Sequence, residues 1–257
     1  MASGENMESK IFARLSRPIK SFINREKPFS LELGDTRIYR LAIKTQIWMK
    51  GDDPVKIVKE ACEGVLGEID TDNIVVAVSE KAVSCSQGRA VKIAEINPGA
   101  LAKFLSKRVT KTPVGIGLGI PETMQLAINE VGVPRILLAT AASAVTRPFG
   151  MKGVFYMVAG QKARSVDGPT EYVIPPYNEY AVMGANNADQ VCKDISKALN
   201  GIRVVIIDAN DIGRRFIGTS GNVSDTEISY VDHAFADNPL CNASEQTPIG
   251  IVVWEKI

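Results

Sequence analysis

The chain has 257 residues, 45% of them hydrophobic and 23% charged, an ordinary soluble composition long enough for one large core or two smaller ones. With 30 Lys and Arg against 29 Asp and Glu the net charge is +1, which argues against nucleic acid or a membrane surface as the main partner. Four scattered cysteines, Cys62, Cys85, Cys192 and Cys241, make no CxxC pair, and the single histidine, His233, excludes a site of several histidines. Reduced thiols and the lack of a visible secretory signal or membrane-length apolar run point to a cytoplasmic protein with no membrane span.

Residues 1–30 interleave Lys10, Arg14, Arg17, Lys20, Arg25 and Lys27 with apolar positions, and Pro18 interrupts the pattern. They read as a basic arm whose apolar side packs on the body or on a second subunit. Leu31 to Trp48 suggests strands. Gly51 to Pro54 then starts a helix, with Asp53 as N-cap and Pro54 in the first turn, and its apolar face is Val55, Val58, Ala61, Cys62 and Val65.

Ile74 to Val78 is the next strand. It runs into a polar loop holding Glu80, Lys81, Ser84, Gln87, Gly88 and Arg89, with Ala90 to Ile93 as a returning strand. A lysine, hydroxyls and an arginine around a glycine suit phosphate or carboxylate, and they equally suit a solvated connection. Gly115, Gly117 and Gly119 precede a helix carrying Pro121 and Glu122 in its first turn, but the spacing fits neither GxGxxG nor the P-loop. Arg135 to Thr140 and Gly153 to Ala159 read as strands. Val166 to Tyr180, rich in proline and tyrosine, reads as an ordered loop. There Asp167 and Gly168 follow soon after a strand, placed for a metal ligand or for a simple Asp-Gly turn.

Asn187 to Leu199 is a helix capped by Asn187 or Asp189. Val204 to Ile207 is a strand of four β-branched residues, buried on both faces. It ends in Asp208, Asn210 and Asp211, and Gly213, Arg214 and Arg215 follow. Carboxylates and an amide supply the oxygens hard cations need, and arginines fork phosphate oxygens, so the turn suits a metal-bound nucleotide. Read alone it is also an ordinary polar turn. Ile249 to Trp254 is a last strand. Several connections are too short for βαβ crossovers, which predicts a mixed α/β fold with largely antiparallel pairs, flanking helices and two interlocked subdomains.

The run NIVVAVSEKAVSCSQGRAV resembles the coenzyme F420-0:L-glutamate ligase family, with Lys81, Ser84, Gln87, Gly88 and Arg89 at that family's Lys-x-x-Ser-x-x-[Glu/Gln]-Gly-Arg positions. VVIIDANDIGRRFIG is similar to its strand ending in Asp followed by Gly-Arg, and VDGP stands where the family carries a metal-binding Asp. The resemblance covers most of residues 40–222 and implies that 31–257 is one catalytic domain of a homodimer. It further implies a ligase using GTP, or ATP, with Mg²⁺ or Mn²⁺, that joins L-glutamate to a carboxylate acceptor through an acyl phosphate. Asp167, Asp208 and Asp211 would then hold the metal. Lys81, Ser84, Gln87, Gly88, Arg89, Asn210 and Gly213 would hold the nucleotide, and Lys81, Arg89 and Arg214 would neutralise charge during transfer. DANDIGRR, GIGLGIPETMQ and IPPYNEY depart from the family pattern, which points to a divergent bacterial branch with an acceptor other than the deazaflavin. The rivals are a nucleotide-dependent kinase that stops at the acyl phosphate and a non-catalytic binder of a nucleotide or acidic peptide.

Overall fold

The computed structural model describes residues 21–22, 27–66, 71–109, 116–170, 173–210, 213–240 and 245–257. Most of the basic arm, together with Gly115, Asp211 and Cys241, lies outside the described residues. The chain forms two compact units, Met1–Gln87 with Ala185–Ile257, and the continuous segment Gly88–Gly184.

The first unit holds a mixed sheet. Its strands are β1 (Ser21–Phe22), β2 (Ser30–Leu33), β3 (Thr36–Ile43), β4 (Ile74–Ser79), β7 (Arg203–Ala209), β8 (Arg214–Thr219) and β9 (Ile249–Lys256). They run in the order β1-β3-β9-β4-β7-β8, and β2 also pairs with β3. The β4–β7 pair is parallel and the other pairs are antiparallel, as the short connections predicted. Within the central strands the runs Ile74–Val78 and Val204–Ile207 are apolar at every position because helices cover both faces. Ile74, Val76, Val204, Ile206 and Ile251 pack beneath helices α1 (Pro54–Leu66) and α8 (Ala188–Ala198). Val75, Val205, Ile207 and Val252 pack on the other side, against Val231 and Ala234 of helix α9 (Asp225–Ala234). Val204 to Ile207 are at most 1% exposed, which stabilises the sheet by about 1.5–3 kcal/mol per side chain. Asp53 caps α1 as expected, its Oδ1 accepting from the Val55 and Lys56 amides at 2.8 and 3.3 Å.

The second unit contains β5 (Ala90–Lys92), α3 (Ala100–Ser106), α4 (Pro121–Val131), α5 (Val133–Thr146), α6 (Val154–Ala159), α7 (Gln161–Arg164) and β6 (Tyr180–Val182). β5 pairs with β6 in a sheet of its own rather than returning beside β4. The core gathers Ala102, Leu118, Met124, Ala127, Ile136 and Ala159. Two expectations are corrected here. Arg135 to Thr140 belongs to helix α5, and Gly153 to Ala159 is helix α6 with Gly153 before it, not strands. A short apolar run has no period of its own, and Pro134 in the first helical turn with the alanine-rich continuation decides for helix. Val166 to Tyr180 is mostly irregular as expected, with one turn of 3₁₀ helix at Tyr177–Glu179.

Candidate functional site

The polar stretch after β4 is a helix, α2 (Glu80–Ser86), and not a loop. No glycine or proline interrupts it before Gly88, which takes φ 70° and ends the turn. Lys81 stands in its first turn and is half-buried. Glu80 is buried, and its Oε1 accepts from the Ala185 amide at 3.2 Å. Ser84 is fully buried, and its Oγ has no hydrogen-bond partner among the described residues. Such a hydroxyl carries the desolvation cost of an unmade bond, on the order of 1–3 kcal/mol, so its environment favours an incoming polar group.

The rest of the motif is engaged with backbone. The Gln87 amide donates to the Asn186 carbonyl at 2.9 Å and accepts from the Asn186 amide at 2.8 Å. In the second unit, the Arg89 guanidinium donates to the Gly184 carbonyl and to Glu130 Oε2, the latter at 2.7 Å. Arg89 and Glu130 are both largely buried, at 13% and 15% side-chain exposure, so they form a held pair rather than a solvated one. Glu130 had no signal in the sequence, because its partner is remote along the chain.

β7 continues through Asp208 to Ala209 and turns directly into β8. Asn210 and Gly213 close that turn on each other. The Asn210 amide donates to the Gly213 carbonyl at 3.0 Å, and Asn210 Oδ1 accepts from the Gly213 amide at 3.1 Å. Asp208 lies opposite Arg215, whose Nη2 donates to Asp208 Oδ2 at 2.9 Å. Arg214 lies opposite Ala209, so it points to the other face of the sheet. There both its Nε and Nη2 donate to Asp232 of α9, at 2.9 and 3.0 Å. That bond is the main reason the Asp232 carboxyl sits below its ordinary range and the Arg214 guanidinium above its own. Arg215, not Arg214, therefore shares a face with Asp208.

Parallel pairing brings two of the sequence candidates together. Ser79 of β4 registers with Ile207 of β7, so the start of α2, with Lys81, and Asp208 lie at the C-terminal ends of adjacent parallel strands. In α/β proteins that end of the sheet is where ligands bind. Asp167 belongs to the second unit and follows helix α7, not a strand. Its backbone forms an antiparallel bridge with Val182, and its Oδ1 accepts from the Gly168 amide at 2.9 Å. Among the described residues no group of three His, Cys, Asp or Glu side chains is gathered for a metal. The donor chemistry of Asp208 nonetheless suits a hard cation, since the Arg215 bond engages only Oδ2.

The chain is thus a mixed α/β protein whose parallel strand pair carries a lysine and a carboxylate at its C-terminal end. The family model described as F420-0:Gamma-glutamyl ligase matches residues 42–224, and the chain belongs to that family. It is a family of ligases, enzymes that join glutamate through a carbon–nitrogen bond. No curated protein matched the chain. Among the described residues no helix is long and apolar enough to cross a membrane.

Proposed function

We propose that the protein joins L-glutamate to a carboxylate acceptor at the expense of GTP, or ATP, through an acyl phosphate. The observation that carries this reading is the juxtaposition of the Lys81 helix and Asp208 at the ends of adjacent parallel strands, within a chain of the γ-glutamyl ligase family. In the first step an acceptor carboxylate oxygen attacks the terminal phosphorus and the nucleoside diphosphate leaves. In the second, the glutamate amine attacks the acyl carbon, phosphate leaves, and the amine gives up a proton. Neither step needs a nucleophile on the protein; both need positioning and charge neutralisation.

Lys81 supplies a positive charge for phosphate, and the Ser84 hydroxyl, buried with no hydrogen-bond partner among the described residues, has a hydrogen bond to give. Asp208 is the described carboxylate of the first unit proposed for Mg²⁺ or Mn²⁺, with Asp211 as a further oxygen donor. Such a cation would neutralise phosphate charge. Gln87 and Arg89 serve by holding the backbone at Asn186 and Gly184 rather than by presenting open donors. The acceptor is proposed to differ from the deazaflavin, because IPPYNEY and GIGLGIPETMQ depart from the family pattern while the Lys81 motif does not.

The test incubates the full chain with GTP or ATP, Mg²⁺, glutamate and two competing acceptors, the deazaflavin and a short glutamate peptide, with products read by mass spectrometry. Nucleotide turnover coupled to a new glutamate amide is expected, with the peptide modified. Turnover without amide would assign a kinase, and binding without turnover a sensor. Efficient glutamylation of the deazaflavin with none of the peptide would refute the acceptor reading alone. Lys81→Ala and Asp208→Ala should each lower kcat/KM by roughly 100-fold or more with the fold intact, as loss of a group aimed at developing charge does.

A further inference from the structure

Asp208 faces an arginine because β8 carries one extra residue. After Val205↔Thr219 and Ile206↔Gly218 the register steps to Ile207↔Phe216, which leaves Ile217 as the extra residue of a β-bulge. Had the first register run on, Phe216 would stand opposite Asp208. The bulge puts Arg215 there instead, and Phe216 turns to the α9 face, where it packs. Residues directly opposite in an antiparallel pair hold their side chains on one face and within reach of each other. The Arg215 Nη2 accordingly donates to Asp208 Oδ2 at 2.9 Å. Bulges that re-aim a side chain gather beside binding sites. This one adjoins the C-terminal end of the β4–β7 pair, against which helix α2 also packs.

The two side chains are placed to part. Asp208 is 37% exposed and Arg215 22%, and a partly exposed ion pair is held only loosely against water and salt. Arg214, by contrast, forks both oxygens of Asp232. The two halves of the Asp208–Arg215 pair suit different ligands: a hard divalent cation seeks the carboxylate, and a phosphate seeks the guanidinium. A cation arriving alone must displace the guanidinium and then lie beside it, positive against positive. A polyphosphate arriving alone lies against the carboxylate, negative against negative. A cation-bound polyphosphate meets neither penalty, because each of its parts takes one half of the pair. We propose that Asp208–Arg215 is a latch opened by cation-bound nucleotide, Asp208 passing to the cation and Arg215 to a phosphate. Cation and nucleotide then bind tightly only together. This exchange rests on the nucleotide reading of the same site, and adds to it a phosphate-binding residue, Arg215, and a coupling between two ligands.

Binding measured without turnover tests it, on the full chain with neither glutamate nor acceptor present. Mn²⁺ is followed by the spin resonance of the free ion, and the β,γ-imido analogues of GTP and ATP by calorimetry, each alone and with the other. Complexation of Mn²⁺ by the analogue in solution is common to every variant and cancels between them. Arg215→Ala should bind Mn²⁺ alone roughly three- to tenfold more tightly, since no guanidinium competes for Asp208. It should bind the Mn²⁺ analogue complex at least roughly tenfold more weakly, since a charge-assisted bond to phosphate is lost. Arg215→Gln, which keeps much of the side-chain bulk, should behave in the same way, and Arg215→Lys should restore most of the wild-type pattern. The circular dichroism of each should match the wild type. If Arg215→Ala and Arg215→Gln bind Mn²⁺ alone no more tightly, or keep the wild-type affinity for the complex, the latch is overturned while the nucleotide reading stands. A wild type that binds neither analogue, with or without Mn²⁺, overturns both.

Discussion

Arg214 and Arg215 are neighbours in sequence and have opposite duties. Strand alternation sends Arg215 to the face of Asp208 and Arg214 to the face of α9, where two bonds from its guanidinium reach Asp232. From the sequence either arginine could be assigned to phosphate, because the partner that decides, Asp232, lies on a helix the sequence reading passed over. That helix did have a signal. Ser224 and Glu227 form a capping box, with the Ser224 Oγ accepting from the Glu227 amide and the Glu227 carboxylate accepting from the Ser224 amide. Arg214→Ala should therefore lower the thermal unfolding midpoint while leaving kcat/KM within a few-fold of the wild type. Asp208→Ala should do the reverse. A large loss of turnover in Arg214→Ala at unchanged stability would return that residue to the site.

At the scale of elements, the strands read most clearly were those with helices on both faces. Ile74–Val78, Val204–Ile207 and Ile249–Trp254 are β-branched runs with polar or glycine ends, and each is a central strand. The same rule misread Arg135–Thr140. Leu137 and Leu138 are apolar without being buried, so a sequence rule that equates apolar with core places them in a strand. Helix α8 shows a constraint that no local pattern carries. It lies so close to β8 that a Cβ on Gly218 would stand 2.6 Å from the Ala188 carbonyl carbon and 2.7 Å from the Asp189 nitrogen. Of the two cap candidates Asn187 takes the N-cap position, and the Asp189 carboxylate instead accepts from the Thr219 amide at 2.8 Å and pins the two elements together. Gly218→Ala must push helix backbone away from the sheet, and about 2–3 kcal/mol of destabilisation is expected, as for other overpacked positions. A urea midpoint within error of the wild type would mean that the helix can shift without cost.

For the whole molecule, arginine-paired carboxylates and buried thiols set the pH range of stability at its two ends. On the acid side, Asp232 and Asp237 are held below the ordinary carboxylate range, chiefly by hydrogen bonds from Arg214 and Arg40. A depressed folded value means that their stabilisation is complete above about pH 4, the unfolded value, and is lost as pH falls through the folded one. On the alkaline side, burial pushes the Cys62 and Cys192 thiols up to about 12. The folded protein keeps these thiols neutral, while the unfolded chain ionises them above about pH 8.5. Their contribution is therefore complete below that pH and is lost as pH rises toward the folded value, by about 1.4 kcal/mol per unit and per thiol. The free energy of unfolding should form a plateau between roughly pH 5 and 8 and fall on both sides. Cys62 lies in the core of the first unit, so Cys62→Ala will lower the plateau through lost packing. The discriminating quantity is the slope between pH 9 and 11, which that substitution should reduce by about 1.4 kcal/mol per pH unit. An unchanged alkaline slope in Cys62→Ala would show that this thiol ionises alike in the folded and unfolded chains, and that its burial in the sheet–helix core is not maintained in solution.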